Sequence, residues 1–447
     1  VLSGDADTKQ DAAQVAAALG ERGVRFARIS HPDLFGRPRS KDVPLDRLPA
    51  CLAGIGYAKA SLVEGLDGEP LSGADFPADR GHPDLHAVPV LDTGRILPWE
   101  PETAWFLADL RDAEGRPSGL CSRHLLRRAA AELEAIGYGA TVAVELEFYL
   151  LRAEDGRWLP YSPKTGMAYT AGPRADPDGL LRRTHAALLD VGLDATTAHR
   201  EFSPGQFEIN LRHGPAVSAI DQAFLLKEVV KVIAQRAGLL ATFMPKPFPD
   251  HEGNGAHVHI SLSRDGENAM AGDVRAGLGR VGLAFMAGVL EHAPALQAIA
   301  APTINSYKRF TPDGIAPKSA TWAPDHRFAY VRVPAEGGQS ARIEFRGADA
   351  AASPYLLAAG LLLAGRDGIE RGLSAPAPIA QSDPGTTGAA LPASLPDALD
   401  VLQRDTVLCE GLGGELVSAF VGIKSREVRR FAAAVTDWER SEYGYHA

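Results

Sequence analysis

Cysteine is scarce in this chain of 447 residues: there are 3, Cys51, Cys121 and Cys409, and none forms a Cys-x-x-Cys spacing. So sparse and odd a set argues against a disulfide framework and reads as reduced thiols of a cytoplasmic protein. Basic charge is also short. Lys and Arg number 46 against 56 Asp and Glu, a formal net charge of -10. No basic stripe or arm is available to meet a nucleic-acid backbone, so nucleic acid is not an expected partner. A small phosphate ligand stays possible, because metals and a few arginines can meet it locally. Long uncharged apolar runs are missing: the longest includes Leu361–Ala364 and ends at Arg366 and Asp367. No membrane partner is expected. The first residues, Val-Leu-Ser-Gly-Asp-Ala-Asp, lack the charged-then-apolar pattern of a signal peptide, which also points to the cytoplasm. There is no GxxxxGK[ST] phosphate loop, and Gly253–Ala256 is too weak a glycine cluster to serve as one. Internal repeats are absent.

What is present is an ordinary globular composition, 45% apolar and 23% charged, in a chain long enough for two domains. Asp11–Arg22 has helical spacing, Val24–Ile29 alternates as a strand, and Phe35–Pro38 turns into a second strand. Leu62–Val90 is rich in Gly, Pro and Asp and reads as loop with short strands. A small sheet-rich domain over 1–101 and a larger one over 102–447 follow. The second opens with an apolar strand at Thr103–Asp109. Helices are expected at Arg123–Ile136, within Pro173–Val191, at Ala216–Ala237, Ala276–Ala300 and Pro354–Glu370, and over most of Leu399–Trp438. Strands fall at Glu145/Glu147, His257/His259, Val331–Val333 and Arg342–Arg346. Pro376–Pro396 is a Pro/Gly/Ala/Thr-rich excursion. Strands alternating with helices, and carrying acids, predict an α/β domain with one polar sheet face.

The chemistry sits in four short clusters: Glu145 and Glu147, Glu201 and Glu208, His257 and His259, and Glu344 inside Arg342–Arg346. Residues two apart on a strand share a face. One such acidic pair is more often a solvated sheet face than a site. Recurrence on neighbouring segments changes that weighing. Hard divalent cations take several oxygen ligands, and Mg²⁺ or Mn²⁺ sites combine carboxylates with substrate phosphates. Glu145, Glu147, Glu201, Glu208, His257 and Glu344 supply the roughly six ligands that two metals need. Arg309, Arg327, Arg332, Arg342 and Arg346 fall within about forty residues of one another, interleaved with apolar strands. An exposed basic face is the plainer account of these arginines. Beside carboxylate-bound metals, guanidinium groups suit a phosphoryl group in transfer.

These segments resemble the glutamine synthetase family from about Val24 to Trp438. The motifs are Val-Glu-Leu-Glu-Phe, Pro-Gly-Gln-Phe-Glu-Ile-Asn, Met-Pro-Lys-Pro with Gly-Ala-His-Val-His-Ile-Ser-Leu, Asn-Ser-Tyr-Lys-Arg, and Arg-Ile-Glu-Phe-Arg with Ser-Pro-Tyr-Leu downstream. The resemblance implies an α+β chain: a small N-terminal β-grasp domain and a C-terminal catalytic α/β domain with a curved antiparallel sheet. It implies hexameric rings, usually stacked as a dodecamer, with active sites between subunits. It implies ATP as substrate, two or three Mg²⁺ or Mn²⁺ ions, and a γ-glutamyl phosphate attacked by an amine. By position, Glu147, Glu201 and Glu208 match the first metal's ligands, and Glu145, His257 and Glu344 the second's. His259, Ser261 and Arg342 match the nucleotide side, and Arg309 and Gly253 the groups that hold glutamate. Arg327 and Arg332 match the phosphate clamp, and Arg346 the group that orients the reacting carboxylate.

The departures are directed. Ammonia-using members close the site with a glutamate in Pro-Gly-Tyr-Glu-Ala-Pro; here the loop is Pro312–Pro317 and the position is Ile315. Their Phe-Asp-Gly-Ser-Ser segment supplies an aspartate; here Gly56–Ser61 has no acid. Tyr169 keeps the third wall of that pocket. Losing two carboxylates removes the attraction for a small hydrated cation and leaves apolar room for a carbon chain. The expected nucleophile is an organic amine, ethanolamine or an alkylamine. The alternatives are ammonia, with Asp313 taking the acid's place, and a polyamine whose distal ammonium meets Glu64, Asp67 or Asp313. A non-catalytic structural homologue is the remote alternative, since all six ligands are in place. Glu252 stands where relatives often have asparagine beside the acid substrate.

Overall fold

The computed structural model describes residues 6–71, 81–162, 167–311 and 314–445. After a leading helix, Ala6–Glu21, the chain builds a first sheet in the order Pro38–Pro44, Phe26–Pro32, Glu100–Arg111, Asp84–Pro89, Ile55–Ala58. Phe26–Pro32 runs parallel to Glu100–Arg111, and the outer pairings are antiparallel. A parallel central pair flanked by antiparallel neighbours agrees with the expected small β-grasp unit. One expectation needs correction. The apolar strand at Thr103–Asp109 is the middle of Glu100–Arg111 and belongs to this first sheet, not to the second part. Sequence alone reads it as the start of the strand–helix alternation. Its pairing with Phe26–Pro32 is long-range, and no local pattern reports it. A cut after residue 101 would sever this strand from its partners.

The large sheet runs Trp322–Pro324, Val331–Val333, Ile343–Asp349, Gly255–Arg264, Gly139–Glu154, Gln206–Leu211, Ala195–Arg200. All these pairings are antiparallel except the one between Trp322–Pro324 and Val331–Val333. Strict alternation splits its residues. Val144, Leu146, Phe148, Phe207, Ile209, Val258, Ile260 and Phe345 are buried in the core. Helices Ala216–Arg236 and Ser122–Ala135 pack on the Gly139–Glu154 strand, and Pro354–Glu370 packs on both helices. The odd-numbered acids of Gly139–Glu154 occupy the opposite, polar face, and the sheet curves so that this face lines a cavity.

The helix expected over Ala276–Ala300 is two helices, Arg280–Glu291 and Ala293–Ala300, bent by 71°. Pro294 explains the break: it is tolerated in the first turn of a helix but not in an interior. The C-terminal helical stretch likewise divides into Leu395–Arg404, Thr406–Leu412, Gly414–Ala432 and Asp437–Tyr443. Among the described residues no single helix is long and apolar enough to cross a membrane.

Candidate active site

Strand register brings the clusters together. Glu145 lies opposite His257, and Glu147 opposite Glu208. Glu208 lies opposite His199, His259 opposite Glu344, and Glu344 opposite Arg332. Residues far apart in sequence thus form one polar band across the sheet, as side chains directly opposite on antiparallel strands must. Glu201 follows the last residue of Ala195–Arg200, so it enters the same band from a strand end.

The band floors a cavity of 280 Å³. Its walls include all six acidic or imidazole residues read as metal ligands, and also Arg309, Arg327, Arg332, Arg346, Gly253, Glu252, Tyr169 and Ile315. His259, Ser261 and Arg342 line a separate, neighbouring cavity of 550 Å³. The two cavities share Glu145 and Asn210. Residues read as nucleotide contacts and residues read as acid and amine contacts therefore occupy two compartments that meet at one carboxylate.

Three groups have ligand atoms within 4.8 Å of one another: Glu145, His257 and Glu344; Glu147, Glu208 and His257; and His199, Glu201 and Glu208. The first is the set expected for one metal. The other two divide the second expected set, Glu147, Glu201 and Glu208, around a shared Glu208. Burial, and then the charges of Glu145, Glu147 and Glu201, push the Glu208 carboxyl up to about 9. Burial also raises Glu147, with Glu201 adding repulsion and His257 opposing it. Converging buried carboxylates that resist ionisation are what a divalent cation would relieve, so the donor set fits hard-metal binding. Glu145 goes the other way. Burial opposes its charge, but a hydrogen bond from His257 and the nearby imidazole of His259, each at 3.1 Å, hold it well below the usual range.

The arginines surround Glu344. This glutamate is 1% exposed and accepts hydrogen bonds from both Arg332 and Arg346. Burial works against its charge, yet His257, then Arg346 and His259, hold its carboxyl at about 2. Arg332 also reaches Asp325 at 3.0 Å, and Arg346 Nε donates to the Arg327 carbonyl at 2.9 Å. Arg309 is buried and donates to the Ala348 carbonyl at 3.2 Å. Gly253 must be glycine here: a Cβ would stand 2.5 Å from the Pro245 carbonyl oxygen and 2.7 Å from Arg309 Cγ. Arg342 Nε donates to His259 Nδ1 at 3.3 Å.

Sequence reasoning missed His199, Phe202 and Gln206. His199 Nε2 lies 3.0 Å from Glu201 and 3.6 Å from Glu208, and its ring packs on Tyr169 with centroids 5.0 Å apart. Its signal was its place two residues before Glu201, the same spacing that marked the other pairs. Gln206 Nε2 ties Glu147 to the Gly253 carbonyl, at 3.1 and 3.0 Å. Phe202 is 59% exposed at the cavity wall. Ala58 ends a strand of the first sheet and does not line this cavity. Glu64 and Asp67 do not line it either: Glu64 pairs with Arg39 at 3.2 Å, and Asp67 with Arg426 and Arg430, each at 3.0 Å. Asp313 lies outside the described residues.

The chain matches the glutamine synthetase catalytic-domain family over residues 119–443. That match begins beyond Arg111, the last residue of the first sheet. Glutamine synthetase of Methanococcus voltae is 34% identical over 435 residues, covering 94% of this chain and 96% of the relative. That of Thermotoga maritima is 32% identical over 441 residues, covering 96% and 98%. Among solved structures, a GmaS/ADP complex superposes with a TM-score of 0.83 at 33% identity, over 96% of this chain and 99% of the other. A glutamine synthase homologue gives 0.81 at 30% identity, over 93% and 96%. The family's enzymes are ATP-dependent ligases that form C–N bonds and use divalent metals, and the acids and imidazoles here are compatible with that chemistry. By family match, near full-length relatives and fold, this chain is a ligase of the glutamine synthetase family.

Proposed function

We propose that the chain joins the side-chain carboxylate of glutamate to a primary organic amine, with ATP converted to ADP and phosphate. The observation that carries this reading is Ile315. It lines the cavity with Tyr169 and Phe202, at the position where ammonia-using relatives place a glutamate. An isoleucine and two aromatic rings give a wall that accepts a carbon chain and, through the rings, an ammonium group. An alkylamine or ethanolamine fits it. A polyamine finds no distal carboxylate at Glu64 or Asp67, whose charges are already matched by arginines.

In this reading Glu145, His257 and Glu344 hold one divalent cation, and Glu147, Glu201 and Glu208 a second. The cations supply charge neutralisation to the phosphates. His259, Ser261 and Arg342 hold the nucleotide in the neighbouring cavity. Arg309 takes the α-carboxylate of glutamate, and Glu252, on the same wall, takes its α-ammonium group. Gly253 keeps the wall thin enough for that approach. Arg346 orients the side-chain carboxylate as its oxygen attacks the γ-phosphorus. Arg327 and Arg332 stabilise the charge that spreads over the transferred phosphoryl group. The acyl phosphate then meets the amine, which loses a proton to Glu201 as the C–N bond forms and phosphate leaves. Assembly into hexameric rings, stacked as a dodecamer, would cover the open side of the cavity, where Tyr169 is 66% exposed.

The test is glutamate-dependent phosphate release from ATP with Mg²⁺ across ammonium, methylamine, isopropylamine, ethanolamine, putrescine and spermidine. Turnover with an alkylamine or ethanolamine well above that with ammonium is expected. Turnover led by ammonium would overturn the reading.

A further inference from the structure

A third cavity, of 660 Å³, opens at the junction of the first sheet, helix Ala216–Arg236, the turn Ile304–Arg309 and helix Gly414–Ala432. Its size suits a small organic ligand. Arg37, Lys227, Lys231, Lys308, Lys424 and Arg430 line it. Asp33, Glu228, Glu427 and Asp67 pair with Arg37, Lys231, Lys424 and Arg430, so among the described residues Lys227 and Lys308 are the lining cations with no carboxylate at ion-pair distance. Its body is apolar: Phe35, Leu66, Phe243, Ile304 and Phe431.

Two of the cations are unusual. Lys424 is 1% exposed, donates to Glu427 at 2.8 Å and lies 4.3 Å from the Phe35 ring centroid. Lys227 is 6% exposed, donates to the Ala350 carbonyl at 2.8 Å and lies 5.3 Å from the centroid of Phe243. Burial, and then the charge of Lys231, push Lys227 down to about 7. A buried ammonium held by a carbonyl and a ring is costly unless an anion completes its surroundings.

The cavity shares a wall with the active site. Pro245 lines it, and the Pro245 carbonyl accepts from Asn254 N, beside Gly253, at 2.8 Å. Thr303, Ile304, Asn305 and Lys308 face it from the same short turn that delivers Arg309 to the catalytic cavity. Lys227 holds the carbonyl of Ala350, two residues beyond the Ala348 carbonyl held by Arg309.

We infer that this cavity is an effector site for a small anion with an apolar body, a carboxylate or a phosphate ester, whose occupancy bears on Arg309. Isothermal titration of the full chain, with Mg²⁺ and a non-hydrolysable ATP analogue present, would use phenylphosphate, phenylacetate and inorganic phosphate as probes. One phenyl anion should bind per chain, and more tightly than inorganic phosphate. The better of the two identifies the anionic group. Lys227→Gln and Lys308→Glu should each weaken it about tenfold or more, as loss of a charged contact does. Lys308 is exposed, so its variant tests the site without disturbing the core. No saturable binding by either phenyl anion, or binding indifferent to both variants, would overturn the site. A second arm rests on the glutamate reading: bound phenyl anion should shift the half-saturating glutamate concentration at least threefold. Binding without that shift would overturn the effector role. The calorimetric arm needs no turnover, so its failure is distinct from failure of the amine proposal.

Discussion

Replacing Ile315 with glutamate tests the amine reading at its narrowest point. The side chain is half-buried on the cavity wall, and Ala316 and Pro317 follow it there. Burying a methylene is worth about 0.8 kcal/mol. The two methylenes that separate propylamine from methylamine therefore contribute about 1.6 kcal/mol against Ile315, or about 15-fold. A carboxylate there forfeits that gain and offers ammonium an opposite charge. At about 5 Å and an effective dielectric of about 20, the attraction is about 3 kcal/mol. Screening at a wall open to water leaves about half, or about tenfold. The same attraction reaches propylammonium, so only the lost apolar contact selects between amines: Ile315→Glu should raise turnover with ammonium about tenfold and shift the ratio of kcat/KM for methylamine over propylamine by about 15-fold toward methylamine. The assay is coupled ADP release at saturating ATP and glutamate, with each amine varied in turn. A folded variant that binds Mg²⁺·ATP normally yet moves the ratio less than threefold would refute Ile315 as the selecting residue.

Metal removal and pH form a second test. The Glu208 carboxyl rises from an ordinary 4.5 to about 9 in the metal-free chain, so the folded state favours its protonated form. That stabilisation is complete below about pH 4.5 and is lost as pH climbs to about 9. Metal-free thermal melts should fall by several degrees from pH 5 to 9, and either saturating Mg²⁺ or Glu208→Gln should flatten the trend; a flat metal-free profile would contradict the cause assigned here. Gly253→Ala would place a methyl group 2.7 Å from Arg309 Cγ. It should raise the KM for glutamate about tenfold with a smaller effect on kcat, and an equal loss in kcat alone would remove Arg309 from acid binding. Glu344→Ala leaves Arg332 and Arg346 without their shared carboxylate, and breaking so buried a pair costs about 3–5 kcal/mol. Calorimetry should show a clearly lower Tm, whereas Glu344→Gln should recover part of it without restoring turnover. Light scattering at assay concentration should give a mass near twelve chains, and a monomer with full activity would rule out a site shared between subunits.

Which face of each strand carries chemistry was legible because the period of two is local: Glu145 with Glu147, and His257 with His259, announce a shared face wherever the strand lies. Which strands adjoin was not. His257 faces Glu145, and Glu208 faces Glu147, through pairings that span many residues, and only the family resemblance supplied that order. The same blindness put Thr103–Asp109 in the wrong sheet. His199 shows a subtler limit. It obeys the period of two before Glu201, but a single histidine between alanine and arginine carries no weight until Glu208 is known to stand across from it. Arg309 is the converse case. Its neighbours Thr303, Ile304, Asn305 and Lys308 face another cavity, so the residue that reaches the catalytic floor and those that line the cationic cavity belong to one turn. A substitution at Lys308 can therefore alter acid binding without touching the acid, and the active site's boundary has to be drawn by shared backbone rather than by contact alone.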